Sequence, residues 1–538
     1  MMADRLHLQP RHRRMLESLL REHLPEVEVW AYGSRVTGLS HDGSDLDLVL
    51  RGPGLGKIPI GQLADFEEAV RESNIPFLVE ARDWARLPER FHAEIEQNYV
   101  VVIAKADGGA NALPWRDLPF SEAVLINPYV SLKRGNVYPH VDMALLTPGA
   151  RSVKAVANRE FRGGGSRFEP GDTLMARITP CLENGKTARF EPSDPYENGP
   201  AHGSTEFIVL RGQKPITDTG YVHYLAKSPE VRNFAIGQMT GTSGRQRVPP
   251  DCFDHLSVSI PPIAEQCAIA HILGALDDRI ELNGRMNETL EAIARALFKS
   301  WFVDFEPVRA KMAWRGTGLA DQIADLFPST FDNEHNPHGW SRVSLAALAD
   351  VNPESWSSSN VPEEVEYVDL ANTKWGAIES TQRFRWQDAP SRARRILRPG
   401  DTIIGTVRPG NGSFAFIGNR GLTGSTGFAV LRPYQRRYRA FVYLAATAPE
   451  NIERLTHLAD GAAYPAVRPQ VVGATQAVVA DQALVDVFSD LASPVLDHIH
   501  SNKEQNRALA QIRDILLPKL ISGEISIADA ETAVGAVA

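Results

Sequence analysis

A long amphipathic stretch that occurs twice constrains this 538-residue chain more than any other feature. The copies span 265–305 and 483–525, and in both the apolar positions step alternately by four and three residues. This spacing places one seam along an α-helix and is typical of coiled coils. The seam consists of Ile269, Leu273, Leu276, Ile280, Asn283, Asn287, Leu290, Ala294, Leu297 and Trp301 in the first copy, and Phe488, Ala492, Val495, Ile499, Asn502, Asn506, Leu509, Arg513, Leu516 and Leu520 in the second. The repeat indicates two helices that pair with each other, rather than two ordinary core helices.

Each seam contains two asparagines near its middle, Asn283 with Asn287 and Asn502 with Asn506. A buried seam asparagine lowers stability but selects one register and one partner. If the helices are antiparallel, Asn283 lies near Asn506 and Asn287 near Asn502, whereas parallel helices would bring Asn283 beside Asn502. Pro494 departs from an uninterrupted helix and fits the first turn of a shorter one.

Shorter motifs recur ahead of both stretches and extend the repeat to a whole module. The recurring pairs are Trp115 and Trp340, Asn127-Pro128 and Asn352-Pro353, Pro170-Gly171-Asp172 and Pro399-Gly400-Asp401, Gly203-Ser204-Thr205 and Gly424-Ser425-Thr426, and Val209-Leu210-Arg211 and Val430-Leu431-Arg432. A Pro-Gly-Asp sequence is typical of a turn that enters a strand. Each module is therefore predicted to be a strand-rich domain followed by one long helix.

The net charge of -9 is unevenly distributed along the chain. Segments 112–260 and 340–480 carry about +2 and +4, whereas 1–111, 261–339 and 481–538 carry about -5 each. Only the segments that precede the long stretches are positive. A contact with a polyanion is therefore expected in these two segments.

The chain shows no sign of a membrane or secreted protein. The N-terminus is polar and basic, and no apolar run approaches the length of a membrane span. Cys181, Cys252 and Cys267 lack the spacing of a metal site, and an odd number of cysteines suits a reducing compartment. The expected location is cytoplasmic.

Residues 1–105 have the pattern of a small α/β unit with a phosphate and metal site. One predicted strand ends at Gly33-Ser34, and a second alternates so that Asp45 and Asp47 project from the same face. Such carboxylates share Mg²⁺ ions, and a Gly-Ser turn holds phosphates through backbone N–H groups and the hydroxyl. A third predicted strand brings Glu80 beside them as a further ligand or base. The arrangement suits nucleotidyl transfer assisted by two metal ions.

Gly33-Ser34, followed after about ten residues by Ser44-Asp45-Leu46-Asp47-Leu48, resembles the minimal nucleotidyltransferases of the polymerase β superfamily. The resemblance implies that Gly33 and Ser34 bind a nucleoside triphosphate, and that Asp45, Asp47 and Glu80 are catalytic residues that bind Mg²⁺. The third carboxylate of that family is usually Asp, and Glu80 is one methylene longer. Retained activity is therefore a prediction separate from the fold.

The order of motifs over 112–525 resembles the specificity subunit of type I restriction-modification enzymes. The resemblance also rests on Ile260-Pro261-Pro262 before the first long stretch and Gly523-Glu524-Ile525 at the end of the second. It implies that each strand-rich domain is a target recognition domain that reads one half of a split site on double-stranded DNA. The helices would form the spacer and dock two methyltransferase subunits, with motor/endonuclease subunits completing the complex. This region would be non-catalytic, and S-adenosylmethionine would act only through partner subunits.

The expected fold class is α+β multidomain. A small α/β nucleotidyltransferase-like domain precedes two mixed strand-rich recognition domains, which are joined by two long antiparallel coiled-coil helices with pseudo-two-fold symmetry. The expected boundaries are 1–105 for the nucleotidyltransferase-like domain, 112–263 and 340–482 for the recognition domains, 264–306 and 483–525 for the spacer helices, 307–339 for a linker and 526–538 for a tail.

The candidate DNA-binding residues are arginines in basic loops. They are Arg162, Arg167, Arg245 and Arg247 in the first domain, and Arg385, Arg394, Arg395 and Arg408 in the second. A flexible glycine backbone lets arginine approach a phosphate or a guanine edge, although a solvated surface is the common alternative for any one arginine. Because these loops differ between the modules, two unlike half-sites are expected.

Two other functions remain open at this point. The chain can be a nucleotidyltransferase that modifies a protein or nucleic acid selected by the repeat region. It can also be a DNA-binding or scaffold protein with an inactive N-terminal domain. Enzymatic activity is therefore an open question for residues 1–105 and is not expected for the rest of the chain.

Overall fold

The computed structural model describes the chain except for residues 1–5, 25–26, 38–39, 41–43, 53–55, 74, 89–90, 93–94, 96–97, 104–114, 194–198, 243, 358, 462–463 and 536–538. The chain divides into two compact units. The smaller contains residues 1–117 with 259–262, and the larger contains 118–258 with 263–538. Among the helices described, none combines the length and apolar character that a membrane span requires.

The smaller unit is built on a four-stranded sheet. Its strands are β1 (Glu28–Tyr32), β2 (Leu46–Arg51), β3 (Val79–Asp83) and β4 (Val100–Ile103), and its helices are α1 (Pro10–His23), α2 (Ser34–Thr37) and α3 (Ile60–Glu72). The strand order is β3-β2-β1-β4, in which β1 is antiparallel to β2 and β4, and β2 is parallel to β3. This is the small α/β unit that the sequence predicts.

Both faces of this sheet are covered, which explains why β2 is apolar at nearly every position. Successive strand residues point to opposite faces. Leu48 belongs to a core cluster with Leu20 of α1 and Phe66 of α3. The next residue, Val49, belongs to a separate cluster with Trp30. The strand that carries Asp47 is therefore held rigidly from both sides.

The first strand-rich domain of the larger unit contains two sheets. Its strands are β6 (Val124–Ile126), β7 (Val137–Val141), β8 (Ser152–Val153), β9 (Ala157–Glu160), β10 (Ser166–Phe168), β11 (Thr173–Ala176), β12 (Thr187–Phe190), β13 (Ala201–Gly203) and β14 (Phe207–Gly212), preceded by β5 (Arg116–Pro119) and followed by β15 (Ser257–Ile260). The sheets have the orders β6-β14-β11-β12-β8 and β10-β13-β7-β9. Helices α4 (Phe120–Ala123), α5 (Thr219–Lys227) and α6 (Pro229–Gly237) accompany them.

The second strand-rich domain repeats this construction. Its strands are β16 (Ser341–Ser344), β17 (Ala349–Val351), β18 (Glu364–Val368), β19 (Thr373–Lys374), β20 (Ala377–Ile378), β21 (Gln382–Arg385), β22 (Ala393–Ile396), β23 (Thr402–Gly405), β24 (Phe414–Phe416), β25 (Leu422–Ser425), β26 (Phe428–Pro433) and β27 (Gln476–Val479). The order β17-β26-β23-β24 matches β6-β14-β11-β12 of the first domain, where β8 adds a fifth strand at the edge, and β21-β18-β25-β22 matches β9-β7-β13-β10. The structure therefore confirms the two-module organisation.

The two Asn-Pro motifs hold equivalent positions in this framework. Asn127 and Asn352 adopt positive φ angles of 48° and 56°. Asn127 Oδ1 accepts a hydrogen bond from the backbone N–H of Val209 at 3.0 Å, and Asn352 Oδ1 accepts one from Val430 at 2.9 Å. Asparagine tolerates this left-handed conformation because its short polar side chain bonds locally. The motif therefore ends a strand and ties it to its neighbour.

The Pro-Gly-Asp turns are joined to the Val-Leu-Arg motifs by buried ion pairs. Arg211 donates to both carboxylate oxygens of Asp172 at 2.6 and 2.7 Å, and Arg432 donates to both of Asp401 at 2.8 Å. Both aspartates are only 1% exposed. Two motifs that recur far apart in each module are thus the two halves of one bidentate contact, which stabilises the fold.

The two long amphipathic stretches form helices α7 (Ile263–Phe302) and α13 (Gln482–Ile521), each of 40 residues. They pack against each other. Asn283 on α7 bonds to Asn506 on α13, and Asp277, which is earlier on α7, bonds to Arg513, which is later on α13. The two helices are therefore antiparallel. The antiparallel pairing predicted from the seam is confirmed. The larger unit also contains α8 (Glu306–Met312), α9 (Asp321–Ala324), α10 (Arg439–Ala446), α11 (Pro449–His457), α12 (Pro469–Gly473) and α14 (Ile527–Gly535).

Three segments around these helices differ from the sequence expectations. Pro494 lies inside α13 and does not begin it. A proline costs a helix about 3 kcal/mol, and packing along the whole of α13 offsets this cost. The expected linker 307–339 contains α8 and α9 and buries Val308 and Phe327 in the core of the second domain. The expected tail 526–538 begins with α14, where Ala530 is fully buried.

Candidate nucleotide and DNA sites

Gly33 and Asp47 lie side by side where two strands of the smaller unit end. Tyr32, the last residue of β1, is the register partner of Asp47 on β2. Gly33 follows with a φ of 78°, and a Cβ at this position would lie 2.4 Å from Asp47 Oδ2. Only glycine fits here, so the backbone of the turn approaches the carboxylate directly. Ser34 comes next and begins α2.

The three carboxylates of the predicted metal site act on one another. Asp47 is the register partner of Glu80 on β3, and Asp45 precedes β2 with an exposed side chain. Burial raises the pKa of Asp47, the charges of Glu80 and Asp45 raise it further, and the charge of Arg82 opposes them. Carboxylates that repel one another in this way favour a bound cation.

Glu80 is shared with a neighbouring arginine. Arg82 Nη2 donates to Glu80 Oε2 at 2.8 Å, and both side chains are more than 40% exposed, so this ion pair is weak. In the described part of the chain, no group of three or more His, Cys, Asp or Glu side chains is arranged to hold a metal ion. Asp45 and Asp47 remain the predicted oxygen donors for a hard divalent cation, and Glu80 has Arg82 as a competing partner.

Arg35 positions the strand that carries the carboxylates, a role the sequence reasoning did not identify. Its guanidinium donates to the carbonyl oxygen of Ser44 at 2.9 and 2.6 Å, and to that of His7 at 2.8 Å. It is 3% exposed and lies over the ring of Phe77. Arg35 thus links the Gly-Ser turn to the residue before Asp45. The sequence signal for this role was the position of Arg35 directly after Gly33-Ser34.

The seam asparagines form two equivalent pairs between the long helices. Asn283 Nδ2 donates to Asn506 Oδ1 at 2.9 Å, and Asn502 Nδ2 donates to Asn287 Oδ1 at 2.9 Å. Asn283 and Asn502 are 3% and 7% exposed, whereas their partners are half-buried. Each pair thus satisfies one buried amide, and the two pairs are related by the pseudo-two-fold symmetry of the repeat.

The four candidate arginines of the first domain differ in their surroundings. Arg162 is exposed, has Glu160 at 3.6 Å and lines a cleft with Gly164 and Gly165. Arg245 is also exposed.

The other two are held by neighbours. Arg167 lies over the ring of Phe161, 4.9 Å from its centre. Arg247 makes a two-pronged ion pair with Glu206, with bonds of 2.8 to 3.0 Å. Arg162 and Arg245 are therefore better placed to reach a ligand.

The second domain brings two of its four candidates together. Arg394 lies over the ring of Trp386 at 4.5 Å, and the exposed Arg385 directly precedes this tryptophan. Arg395 donates to Ser355 Oγ at 3.1 Å, and burial lowers the pKa of Arg395.

Arg408 lies apart from these, on another loop. It has a positive φ of 48° and lies 5.0 Å from the ring centre of Tyr464. Its backbone N–H donates to Pro465 O at 2.8 Å. The exposed rim around Trp386 is thus the part of this domain that presents both an aromatic face and arginines.

Two family models match the chain. One is described as "Type I restriction modification DNA specificity domain" and matches residues 195–292. The other is described as "Nucleotidyltransferase domain" and matches residues 12–102. The two matches fall in the larger and the smaller unit respectively.

Relatives with names divide along the same line. The chain is 25% identical over 375 residues to the Type I restriction enzyme HindI specificity subunit of Haemophilus influenzae, covering 60% of this chain and 81% of the relative. It is 37% identical over 93 residues to the probable protein adenylyltransferase MntA of the same species, covering 17% of this chain and 78% of that protein. Among solved structures, the S subunit of a type I restriction-modification system from M. genitalium is 16% identical, with a TM-score of 0.44 and coverage of 77% of this chain and 97% of that one.

Proposed function

Because the chain belongs to the type I restriction-modification specificity subunits and carries a nucleotidyltransferase domain at its N-terminus, we propose that it reads a bipartite site on double-stranded DNA. Each strand-rich domain reads one half-site. The exposed Arg162 and Arg245 in the first domain and Arg385 in the second are the candidates to contact it.

The antiparallel pairing of α7 and α13 is the observation that supports this proposal best. Hydrogen bonds between Asn283 and Asn506 and between Asn287 and Asn502 join the two helices to each other. The two equivalent domains are thereby held on one rigid helical pair. A helix of 40 residues is about 60 Å long at about 1.5 Å per residue. At about 3.4 Å per base pair, the separation suits half-sites with a fixed spacer, on the order of fifteen base pairs or fewer from end to end.

The helical pair is also the proposed docking platform for partners. Two methyltransferase subunits bind along α7 and α13, one for each half of the pseudo-symmetric pair, and motor/endonuclease subunits complete the restriction complex. Methyl transfer from S-adenosylmethionine then takes place in those subunits. The chain contributes the choice of site.

Selection from random double-stranded DNA tests the recognition proposal. The purified chain should enrich two short unlike motifs separated by an invariant gap. Arg162→Gln should weaken selection at one motif and Arg385→Gln at the other, and a variant that removes a phosphate contact should lower the salt slope of binding by about 0.9. Arg279→Gln, which changes an exposed arginine on α7, is the matched control. A single continuous motif would contradict the proposal.

For the smaller unit we propose Mg²⁺-dependent nucleotidyl transfer to a protein acceptor. An acceptor oxygen forms a bond to the α-phosphorus of a nucleoside triphosphate while the bond to pyrophosphate breaks. Gly33 and Ser34 would hold the phosphates, and Asp45 and Asp47 would hold the metal ion, which would supply positive charge to neutralise the departing pyrophosphate. The support is the contact of Gly33 with Asp47 and the likeness to a probable protein adenylyltransferase.

Two glycine variants test this second proposal with matched chemistry. Gly33→Ala places a methyl group against Asp47 and should abolish transfer of label from ATP. Gly61→Ala, in α3, meets nothing within 4 Å and should leave transfer unchanged. Asp45→Asn with Asp47→Asn should remove both the labelling and the rise in melting temperature that Mg²⁺ gives the wild type. Equal labelling by that double variant and the wild type would overturn the proposal.

A further inference from the structure

Two histidines face each other on adjacent strands of the first recognition domain. His140 on β7 and His202 on β13 are register partners in a parallel pair. Their Nδ1 atoms are 3.3 Å apart, and the ring planes are inclined by 61°. His202 is 6% exposed. The two histidines line the cleft that also contains Arg162.

The other nitrogen of each ring is bonded to a group that only accepts. His140 Nε2 donates to Asp142 Oδ1 at 3.0 Å, and His202 Nε2 donates to the carbonyl oxygen of Arg159 at 3.2 Å. Arg159 Nη2 donates to Asp142 Oδ2 at 2.7 Å, and the Asp142 side chain is 45% exposed, so the group is a carboxylate. Each Nε2 therefore carries the ring proton.

This assignment leaves both Nδ1 atoms without a proton and 3.3 Å apart. Neutral imidazoles in these tautomers cannot hydrogen-bond to one another, because neither Nδ1 has a proton to donate. The contact is favourable only when a cation lies between the rings. A proton or a metal ion can fill this place.

We propose that His140 and His202 bind a divalent transition-metal ion of the Zn²⁺ class through their Nδ1 atoms. Zinc is held by imidazole nitrogens at about 2.0–2.1 Å, and two such ligands at a tetrahedral angle are about 3.4 Å apart. Asp142 and the Arg159 carbonyl then form the outer layer that orients metal-binding histidines in proteins. The distances in this cleft match both layers.

The surroundings indicate a site with open positions. Glu160, Arg159 and Arg162 are the charged residues that line the cleft, and Gly164 and Gly165 form its loop. Arg159 is neutralised by Asp142 at 2.7 Å. Because the described residues contain no third metal-type side chain in reach, water or a ligand oxygen completes the coordination. The ion would add positive charge beside Arg162.

A metal ion explains the pair better than a shared proton. His202 is 6% exposed and its Nε2 bonds to a neutral carbonyl oxygen, so a charged ring would be buried there without a carboxylate partner. Neutral imidazole is the form that binds a metal. Burial thus opposes the imidazolium that a shared proton needs.

Competition for Zn²⁺ with a chromophoric chelator tests the proposal on the purified, untagged full chain. Millimolar Mg²⁺ is included to occupy the carboxylate site of the smaller unit. The wild type should bind one Zn²⁺ that both His140→Asn and His202→Asn lose. His271→Asn, which changes an exposed histidine on α7, should retain it. Asp142→Asn should weaken binding by about 10–100-fold.

X-ray absorption of the Zn²⁺-loaded wild type keeps the test independent of whether the variants fold. Scattering from two imidazole rings at about 2.0–2.1 Å is expected. Equal Zn²⁺ binding by wild type and both histidine variants, or a spectrum without imidazole, would overturn the proposal. Neither readout uses DNA, so the metal site and the recognition proposal can fail separately.

Discussion

The two recognition domains share one framework but contact the long helices through opposite chemistry. In the first domain, Tyr224 donates to Asp277 Oδ2 at 2.9 Å, and Arg513 donates to Asp277 Oδ1 at 2.7 Å. In the second, Phe441 packs on Phe298, with ring centres 5.2 Å apart, inside a large apolar cluster. One junction is a buried ionic network, and the other is an aromatic core.

The sequence repeat allows the two junctions to be compared position by position. The constant offset that relates Asn283 to Asn502 also relates Asp277 to Leu496, and Ala294 to Arg513. All four of these positions are buried. A charged pair and an apolar pair therefore occupy equivalent places in one molecule.

This difference separates what the framework needs from what it tolerates. The buried pairs Asp172–Arg211 and Asp401–Arg432 are present in both domains, so they are part of the framework. The buried centre of the junction changed from charged to apolar while the framework ion pairs stayed the same. We infer that a buried ionic network pins the first domain to the helices, whereas the second domain is held mainly by an aromatic core, with hydrogen bonds such as that from Lys503 to Gly376 O around it.

The largest effect is expected when one charge of the first junction is removed. Arg513→Met leaves Asp277, whose side chain is 3% exposed, without its ionic partner and should destabilise the chain by about 3–5 kcal/mol. Asp277→Leu with Arg513→Met and Tyr224→Phe should recover most of this loss, since no charge or hydroxyl is then orphaned. Urea unfolding, with hydrogen exchange of α7 and α13, measures both.

The converse experiment introduces a charge into the apolar second junction. Leu496→Asp introduces a lone carboxylate into the apolar cluster and should cost as much as Arg513→Met, whereas Leu496→Met should cost less than about 1.5 kcal/mol. If Arg513→Met were as mild as Leu496→Met, the ionic description of the first junction would be wrong.

A smaller loss of stability, equal in the two recognition domains, is expected when the framework ion pairs are broken. Asp172→Asn and Asp401→Asn each remove a buried charged acceptor from a half-buried arginine and should each cost about 1.5–3 kcal/mol. Because the contacts are equivalent, the two losses should agree within about 0.5 kcal/mol. Hydrogen exchange of β11 and β23 checks the values. A loss confined to one domain would show that the repeated motif has only one structural role.

The sequence predicted the framework well because its signals are local or repeated. The seam period identified both long helices, and the bond between Asn283 and Asn506 confirms the antiparallel direction that was expected for them. The Pro-Gly-Asp and Val-Leu-Arg motifs were recognised as a repeat. Their bond to each other was not foreseen, because nothing in the spacing shows that Asp172 and Arg211 meet.

The details of the candidate sites depended on tertiary structure and were less predictable. Arg247 looked like a DNA contact, but its side chain pairs with Glu206. Glu80 was matched to a metal role, yet it also has Arg82 as a partner. Glu206 is distant from Arg247 in the sequence, and Arg82 meets Glu80 on the same strand through the direction of the side chains, neither of which a linear pattern encodes. Pro494 was predicted to lie in the first turn of a shorter helix, but it lies inside α13, because tertiary packing outweighs a single helix-breaking residue.

The seam asparagines should show a modest gain in stability together with a loss of specificity. Asn283→Leu with Asn506→Leu replaces a polar pair by an apolar one and should raise unfolding stability by about 1–2 kcal/mol. The equivalent change at Asn287 and Asn502 should have the same effect. Combining all four should permit alternative helix registers, which cross-linking of cysteines introduced along α7 and α13 would detect. A single register in the quadruple variant would assign specificity to the junctions instead.

The smallest effect compares two lysines, one buried at each junction. Lys227 donates to the carbonyl oxygen of Ala150 at 3.4 Å, and Lys503 donates to that of Gly376 at 2.7 Å. Burial lowers the pKa of Lys227 from 10.5 to about 8, and burial also lowers the pKa of Lys503. Both junctions therefore contain an amine that is harder to protonate in the folded chain than in the unfolded one.

The sign of the pH dependence follows from this difference. Above a pH of about 8, the unfolded chain binds more protons than the folded one, so stability should rise with pH; below 8 the full penalty of the charged lysine is present. Buried tyrosines with raised pKa values, such as Tyr224, reverse the trend above a pH of about 10. Melting temperatures between pH 7 and about 9.5 should therefore rise less in Lys227→Met than in the wild type. The exposed Lys154→Met should keep the wild-type rise, and a wild-type rise in Lys227→Met as well would show that the first junction holds its lysine charged.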